Sequence, residues 1–223
     1  LPTPMPVIRV ESGDRALFFG DYDQAREQYM TAFNESTDLA IQAAALWGMG
    51  RTELAAGRNQ AAIDILTRLV NEYPDSTYAA RAYFLMGQEY SKLGQYQLSA
   101  DAYNTYLTRV PGVLDGYVQD YRGDALYQAK DYTNAVNAYS AALNASRLDD
   151  GLTLQIKIGQ TRYDFGDYAG ALTIYDQVFN VTTGKKERLQ RCLRMHANDR
   201  EDIKEVYTGD IVAVVGLRSA RTG

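Results

Sequence analysis

Five glycines, Gly13, Gly50, Gly87, Gly123 and Gly159, recur at intervals of 37, 37, 36 and 36 residues. A fixed period of this size means one supersecondary unit used again and again, because a unit that cannot bury its apolar face alone does so against its copies. The stretch Gly87 to Pro111, GQEYSKLGQYQLSADAYNTYLTRVP, shows the unit most fully. Seven residues after each glycine stands a turn position, filled by Gly20, Gly57, Gly94, Lys130 and Gly166. Glycine there takes the left-handed conformation that ends a helix, which makes Lys130 the exception. Two residues further on, Tyr22, Tyr96, Tyr132 and Tyr168 open a second helix, with Asn59 in the remaining copy. Twelve residues after the glycines come Ala25, Ala62, Ser99, Ala135 and Ala171, and four beyond those Tyr29, Leu66, Tyr103, Tyr139 and Tyr175. Small residues bring two helices close while the large neighbour fills the space beside them.

This spacing predicts paired helices at about 7–19 and 22–34, 38–56 and 59–72, 77–93 and 96–109, 114–129 and 132–145, and 150–165 and 168–179. Asp75-Ser76, Asp131 and Asp149-Asp150 supply helix starts, and Pro74 and Pro111 supply stops. In the first and fourth copies Thr37 and Arg147 replace the proline.

The register of Gly and Ala on facing helices, Tyr opening the second and Pro closing it resembles the tetratricopeptide repeat over residues 7–180. The resemblance implies an all-α fold, a right-handed solenoid of about five helical hairpins. EYPDSTYAARAYFLMGQEYSKLGQYQLSADAYNTYLTRVP is similar to repeats of bacterial envelope proteins, including outer-membrane assembly lipoproteins and the region preceding some lytic transglycosylase domains. That implies a non-enzymatic scaffold for a protein or extended peptide, in envelope assembly or cell-wall processes and in a periplasmic or extracytoplasmic setting. Glu11-Ser12 and Glu35-Ser36 have the form of a transglycosylase Glu-Ser pair but lie inside the first repeat without the downstream motifs. No cofactor is expected.

The first six residues, LPTPMP, read as a Pro-rich linker. They carry neither a charged leader nor a long apolar core; a mature chain after signal removal begins this way as readily as one cut at an arbitrary boundary. No apolar run suggests a transmembrane segment. A single cysteine, Cys192, excludes an internal disulfide and a Cys-based zinc site, and a single histidine, His196, leaves no His pair for a metal.

After Asn180 the period is lost, and the net charge turns from −8 over residues 1–180 to +3 over 181–223. Alternation in 188–196 and the β-branched run in 210–216 are strand signals, so 181–223 is expected to be a β-rich segment. Gly184-Lys185-Lys186-Glu187-Arg188, Met195-His196-Ala197-Asn198, Arg200 to Val206 and Gly209-Asp210-Ile211 resemble part of the second domain of elongation factor G. The GTP-binding domain of that family is not represented: a phosphate loop ending at Gly184-Lys185 needs glycine where Phe179 stands. The alternative function is accordingly a translation-associated protein or a fusion, cytoplasmic if the resemblance is functional. The overall charge of −5 argues against nucleic-acid binding by the whole chain, leaving the basic residues of 185–200 as the stretch that could touch RNA. Less tight packing than in the array is expected there. Cys192 and His196 lie about 13 Å apart if on one strand, too far for a thiol and base to act together.

The family resemblance puts ligands against the surface lined by the first helices. Residues six and three before each glycine, and one and four after it, give the groove candidates Trp47, Arg51, Arg81, Phe84, Gln88, Tyr117, Asp120, Asp124, Tyr127, Gln160 and Tyr163. They run from cationic and aromatic to acidic and aromatic, which suits an extended peptide with one acidic and one basic end. The competing reading is that Trp47, Phe84 and Tyr117 pack between helices. The Lys and Asn of a carboxylate clamp are not matched.

Overall fold

The computed structural model describes residues 5–112, 114–145, 151–183, 191–196, 199–203 and 212–215. Among them ten helices follow in hairpins: α1 (Pro6–Phe18) with α2 (Tyr22–Glu35), α3 (Leu39–Ala55) with α4 (Asn59–Glu72), α5 (Thr77–Lys92) with α6 (Tyr96–Arg109), α7 (Asp115–Gln128) with α8 (Tyr132–Asn144), and α9 (Leu152–Phe165) with α10 (Tyr168–Thr183). Every turn inside a hairpin is built alike. Gly20, Gly57, Gly94, Lys130 and Gly166 all have positive φ. The next residue's N–H reaches five residues back, as in Asp21 to Ala16 at 2.9 Å and Asp131 to Leu126 at 2.9 Å, the double closure that satisfies a helix's last carbonyls. Lys130 adopts this backbone at φ 62° without glycine's freedom. Asp21, Asp131 and Asp167 then turn their carboxylates to the amides of Gln24, Asn134 and Gly170, so one residue closes a helix and opens the next. Ser76 caps α5 through Ala79. Asp149 and Asp150 lie outside the described residues, as do Arg147 and residues 1–4 of the linker.

Glycine spacing sets the packing inside each hairpin. A Cβ on Gly13, Gly50, Gly87, Gly123 or Gly159 would stand 2.5–2.7 Å from the side chain of Tyr29, Leu66, Tyr103, Tyr139 or Tyr175, so only glycine lets these rings and the leucine lie against the first helix. The small residues between them are fully buried, and Ser99 Oγ donates to the Gly87 carbonyl at 2.7 Å, tying α6 to α5. At three of the seams between hairpins, the position two before the glycine meets the large residue of the hairpin before. Gly48 leaves Tyr29 clasped from a second side, Tyr121 lies 5.9 Å from the Tyr103 ring, and the Lys157 ammonium lies 5.4 Å from the Tyr139 ring.

Buried apolar residues form two clusters, one centred on the first three hairpins and one on the last two. Phe84 with Tyr103, Tyr106 and Tyr121, at ring distances of 5.5–6.3 Å, lies where they adjoin.

The last helix runs to Thr183, past the end expected at 179; Ala171 and Tyr175 pack it as a second helix against α9. Beyond it, β1 (Arg191–His196), β2 (Asp199–Ile203) and β3 (Val212–Val215) form an antiparallel sheet in the order β2-β1-β3. β2, whose sequence DREDI shows no apolar alternation, was not expected from the pattern. Cys192 and His196 share β1 and pair at their Cα positions with Ile203 and Asp199. Gly184 to Gln190, Ala197-Asn198 and Gly209-Asp210-Ile211 lie outside the described residues, and with them Lys185, Lys186 and Arg188 of the basic cluster.

Candidate protein-binding groove

The first helices pack side by side, α1 on α3 and α3 on α5, which brings the residues one turn beyond each glycine into line. Between these three helices lies an open groove of about 920 Å³. Trp47, Arg51 and Gln88, all predicted, line it. Trp47 is half-buried and stacks on Tyr78 at 6.0 Å, while the Arg51 guanidinium stands 5.9 Å from the indole and 3.5 Å from Asp14 Oδ1. Phe18, 84% exposed, and Leu54 add apolar surface. Glu89 and Lys92 complete the α5 side.

A second hollow, of about 560 Å³, is lined by the predicted Asp124, Tyr127 and Gln160 together with Tyr96, Tyr139 and Lys157. The Tyr127 hydroxyl donates to Asp164 at 2.6 Å; that bond, with some burial, pushes its pKa up to about 12. Gln160 donates to both oxygens of the same carboxylate at 3.1 Å. Arg81 and Phe84 belong to neither hollow. They line a cleft of about 140 Å³ with Trp47, Leu85 and Tyr106, where Phe84 is engaged by the rings at the boundary between the clusters. Tyr117 is half-buried, and Tyr163 makes an edge contact with Tyr168 at 5.3 Å.

The charge pattern departs from the one expected. Asp120 and Asp124 do not form an acidic end: Lys157 Nζ donates to them at 2.8 and 2.6 Å. Burial works to lower the lysine's pKa, but the two carboxylates outweigh it and leave the value raised. At the other end Arg51 is offset by Asp14, so the groove is a mosaic and not a gradient. Asp14 and Asp124 also accept the buried hydroxyls of Tyr29 and Tyr139 at 2.8 Å, which makes them part of the packing as well as of the groove wall. Burial, then these carboxylates, raise both phenols above their ordinary value.

Three charged residues escaped the sequence pattern. Lys157 occupies the same register as Gly48, Leu85 and Tyr121, so residue type gave no signal. Glu53, 4% exposed, accepts from Arg26 at 2.7 Å and from Arg58. Glu89, 3% exposed, accepts from Lys92 at 2.6 Å. Glu53 and Glu89 stand three and two residues past Gly50 and Gly87, and an acidic residue that close to the repeat glycine is the trace these two leave. Among the described residues no group of three or more His, Cys, Asp and Glu side chains is placed to hold a metal, and no helix is long and apolar enough to cross a membrane. The grooves offer aromatic faces, amides and paired charges, the chemistry of non-covalent recognition.

The pattern of the tetratricopeptide repeat matches residues 10–77 and 84–152, and that of elongation factor Tu domain 2 matches residues 168–223. The second match begins on α10, a helix packed in the fifth hairpin. Among solved structures, a crystal structure of MamA protein aligns at a TM-score of 0.63 with 19% identity, covering 82% of this chain and 96% of that one. MamA 41-end from Desulfovibrio magneticus RS-1 aligns at 0.61 with 16% identity, covering 81% and 97%. At such identities the likeness is one of fold.

Proposed function

The chain belongs to the tetratricopeptide repeat family, and from that premise we propose that it is a non-catalytic scaffold that lays an extended segment of a protein partner along α1, α3 and α5. The observation that carries this is the continuous groove in which Trp47, Arg51 and Gln88 come together from two hairpins and meet Phe18 from a third. Aromatic and arginine side chains on rigid helices anchor partners at low entropic cost, and hairpins stacked as a solenoid supply such a surface without rearrangement. The similarity of residues 72–111 to envelope repeat proteins supports a place in envelope assembly or cell-wall processes. Retrieval of partners from an envelope extract by the wild type and by Arg51→Glu tests the reading. The variant is expected to lose the partner while keeping its helical circular dichroism, and unchanged recovery would place the interaction elsewhere.

A second reading rests on the match to elongation factor Tu domain 2 and on the three-stranded sheet of residues 191–215: the C-terminal segment derives from a translation factor and docks on RNA. Contacts to phosphates would weaken steeply with salt. A chain ending at Thr183 that loses salt-sensitive RNA binding supports it, and equal binding by both chains, or none at low salt, removes it.

A further inference from the structure

The groove over α1, α3 and α5 contains one polar atom that the fold leaves unanswered. Glu89 lies two residues beyond Gly87, is 3% exposed and is part of the groove wall. Its Oε1 accepts from Lys92, whereas Oε2 is buried with no hydrogen-bond partner. A buried carboxylate oxygen without a donor is costly, and a ligand that brings a donor recovers that cost on binding.

The chain itself shows the completed arrangement. Glu53, equally buried on α3, has one oxygen on the Arg26 guanidinium and the other on that of Arg58. Glu89 has a single ammonium on a side chain that is 62% exposed and easily displaced. Guanidinium and carboxylate match in a planar, two-bonded pair that a lysine does not reproduce. Apolar surface stands beside it, supplied by Trp47, Leu54 and Leu85.

We propose that Glu89 receives an arginine of the extended partner segment, with an aliphatic neighbour of that arginine held against Trp47 and Leu85. This rests on the groove reading above and adds the residue that the groove selects. Charge complementarity fixes the occupant: an acidic or apolar side chain at this point leaves Oε2 unpaired, a neutral amide donates to it without balancing its charge, and an arginine both donates and balances the charge.

Trp47 is the chain's single tryptophan and lines this groove, so its fluorescence reports occupancy directly. The full chain is titrated with a blocked seven-residue peptide of alanine and leucine with a central arginine, and with the same peptide carrying glutamine or glutamate instead. The arginine peptide is expected to bind about tenfold more tightly than the glutamine peptide, as befits a desolvated charge pair. Glu89→Gln abolishes that preference. Lys92→Met, which removes the rival cation and leaves Glu89 intact, tightens the arginine peptide severalfold. Equal binding of arginine and glutamine peptides by the wild type, a preference that survives in Glu89→Gln, or no gain in Lys92→Met would overturn the assignment and leave the groove reading standing. Silence of the Trp47 signal with all three peptides would remove both.

Discussion

At the scale of single residues, Lys130 is the clearest departure from the repeat. It stands where four copies have glycine, and it takes the same left-handed backbone at φ 62°. A residue with a Cβ is strained there, whereas glycine is not, although glycine gives more freedom to the unfolded chain. The first effect is the larger, so Lys130→Gly is expected to stabilise the chain by about 0.5–1 kcal/mol, read as a rise in the urea midpoint. This position was legible in the sequence because turn geometry depends on the residue's own backbone. Lys157 was not, because its role is set by the Tyr139 ring and by two carboxylates from the preceding hairpin, and the four residues in its register share no chemistry. The same contrast separates Ser99, whose place as a small residue was readable, from Glu53, whose partner Arg26 is 27 residues away.

At the scale of elements, the helix ends follow the sequence closely because turns and caps are local. Gly or Lys at the turn, then Asp as the residue that both closes and caps, defines the first, fourth and fifth hairpins. The second and third have Arg58 and Gln95 at that point, and neither side chain caps the helix that follows. Gln95→Asp therefore gives α6 a cap that it lacks and is expected to add about 0.5–1 kcal/mol, measured by the same urea titration. Where local signals fade, reading is poorer. The pattern ends α10 at 179 because the repeat register runs out at Asn180, and β2 goes unread because a strand of charged residues announces itself only through the backbone it pairs with. Of the candidate groove, the aromatic and amide positions were readable from the glycine register. The pairing of its charges was not, since it depends on which side chains of adjacent hairpins reach one another.

At the scale of the whole molecule, the same tyrosine position is buried along the stack, as Tyr29, Tyr103 and Tyr139. All three phenols are pushed upward, first by burial. Their folded values lie above the ordinary value of 10, so the stability they contribute is fully present below pH 10 and is lost as pH rises through the folded values, where the unfolded chain ionises and the folded one resists. Lys157, also raised, acts in the same direction. Thermal melts are expected to be level from neutrality to about pH 9 and to fall above pH 10, with a shallower fall in Tyr139→Phe. A slope unchanged by that substitution would mean that the ring titrates as freely in the fold as out of it.

The seams between hairpins are not made of one material. Between the first and second, the ring of Tyr29 is wedged between two backbones, at Gly13 and Gly48, beside two ionic links, Arg26 to Glu53 and Arg51 to Asp14. Between the fourth and fifth, the seam is a lysine stem lying over a ring and held by two ionic links, which dissolved ions weaken. Dissolved salt thus acts on the main tie of the last seam but only on the flanks of the first, where a ring locked between two backbones holds without charge.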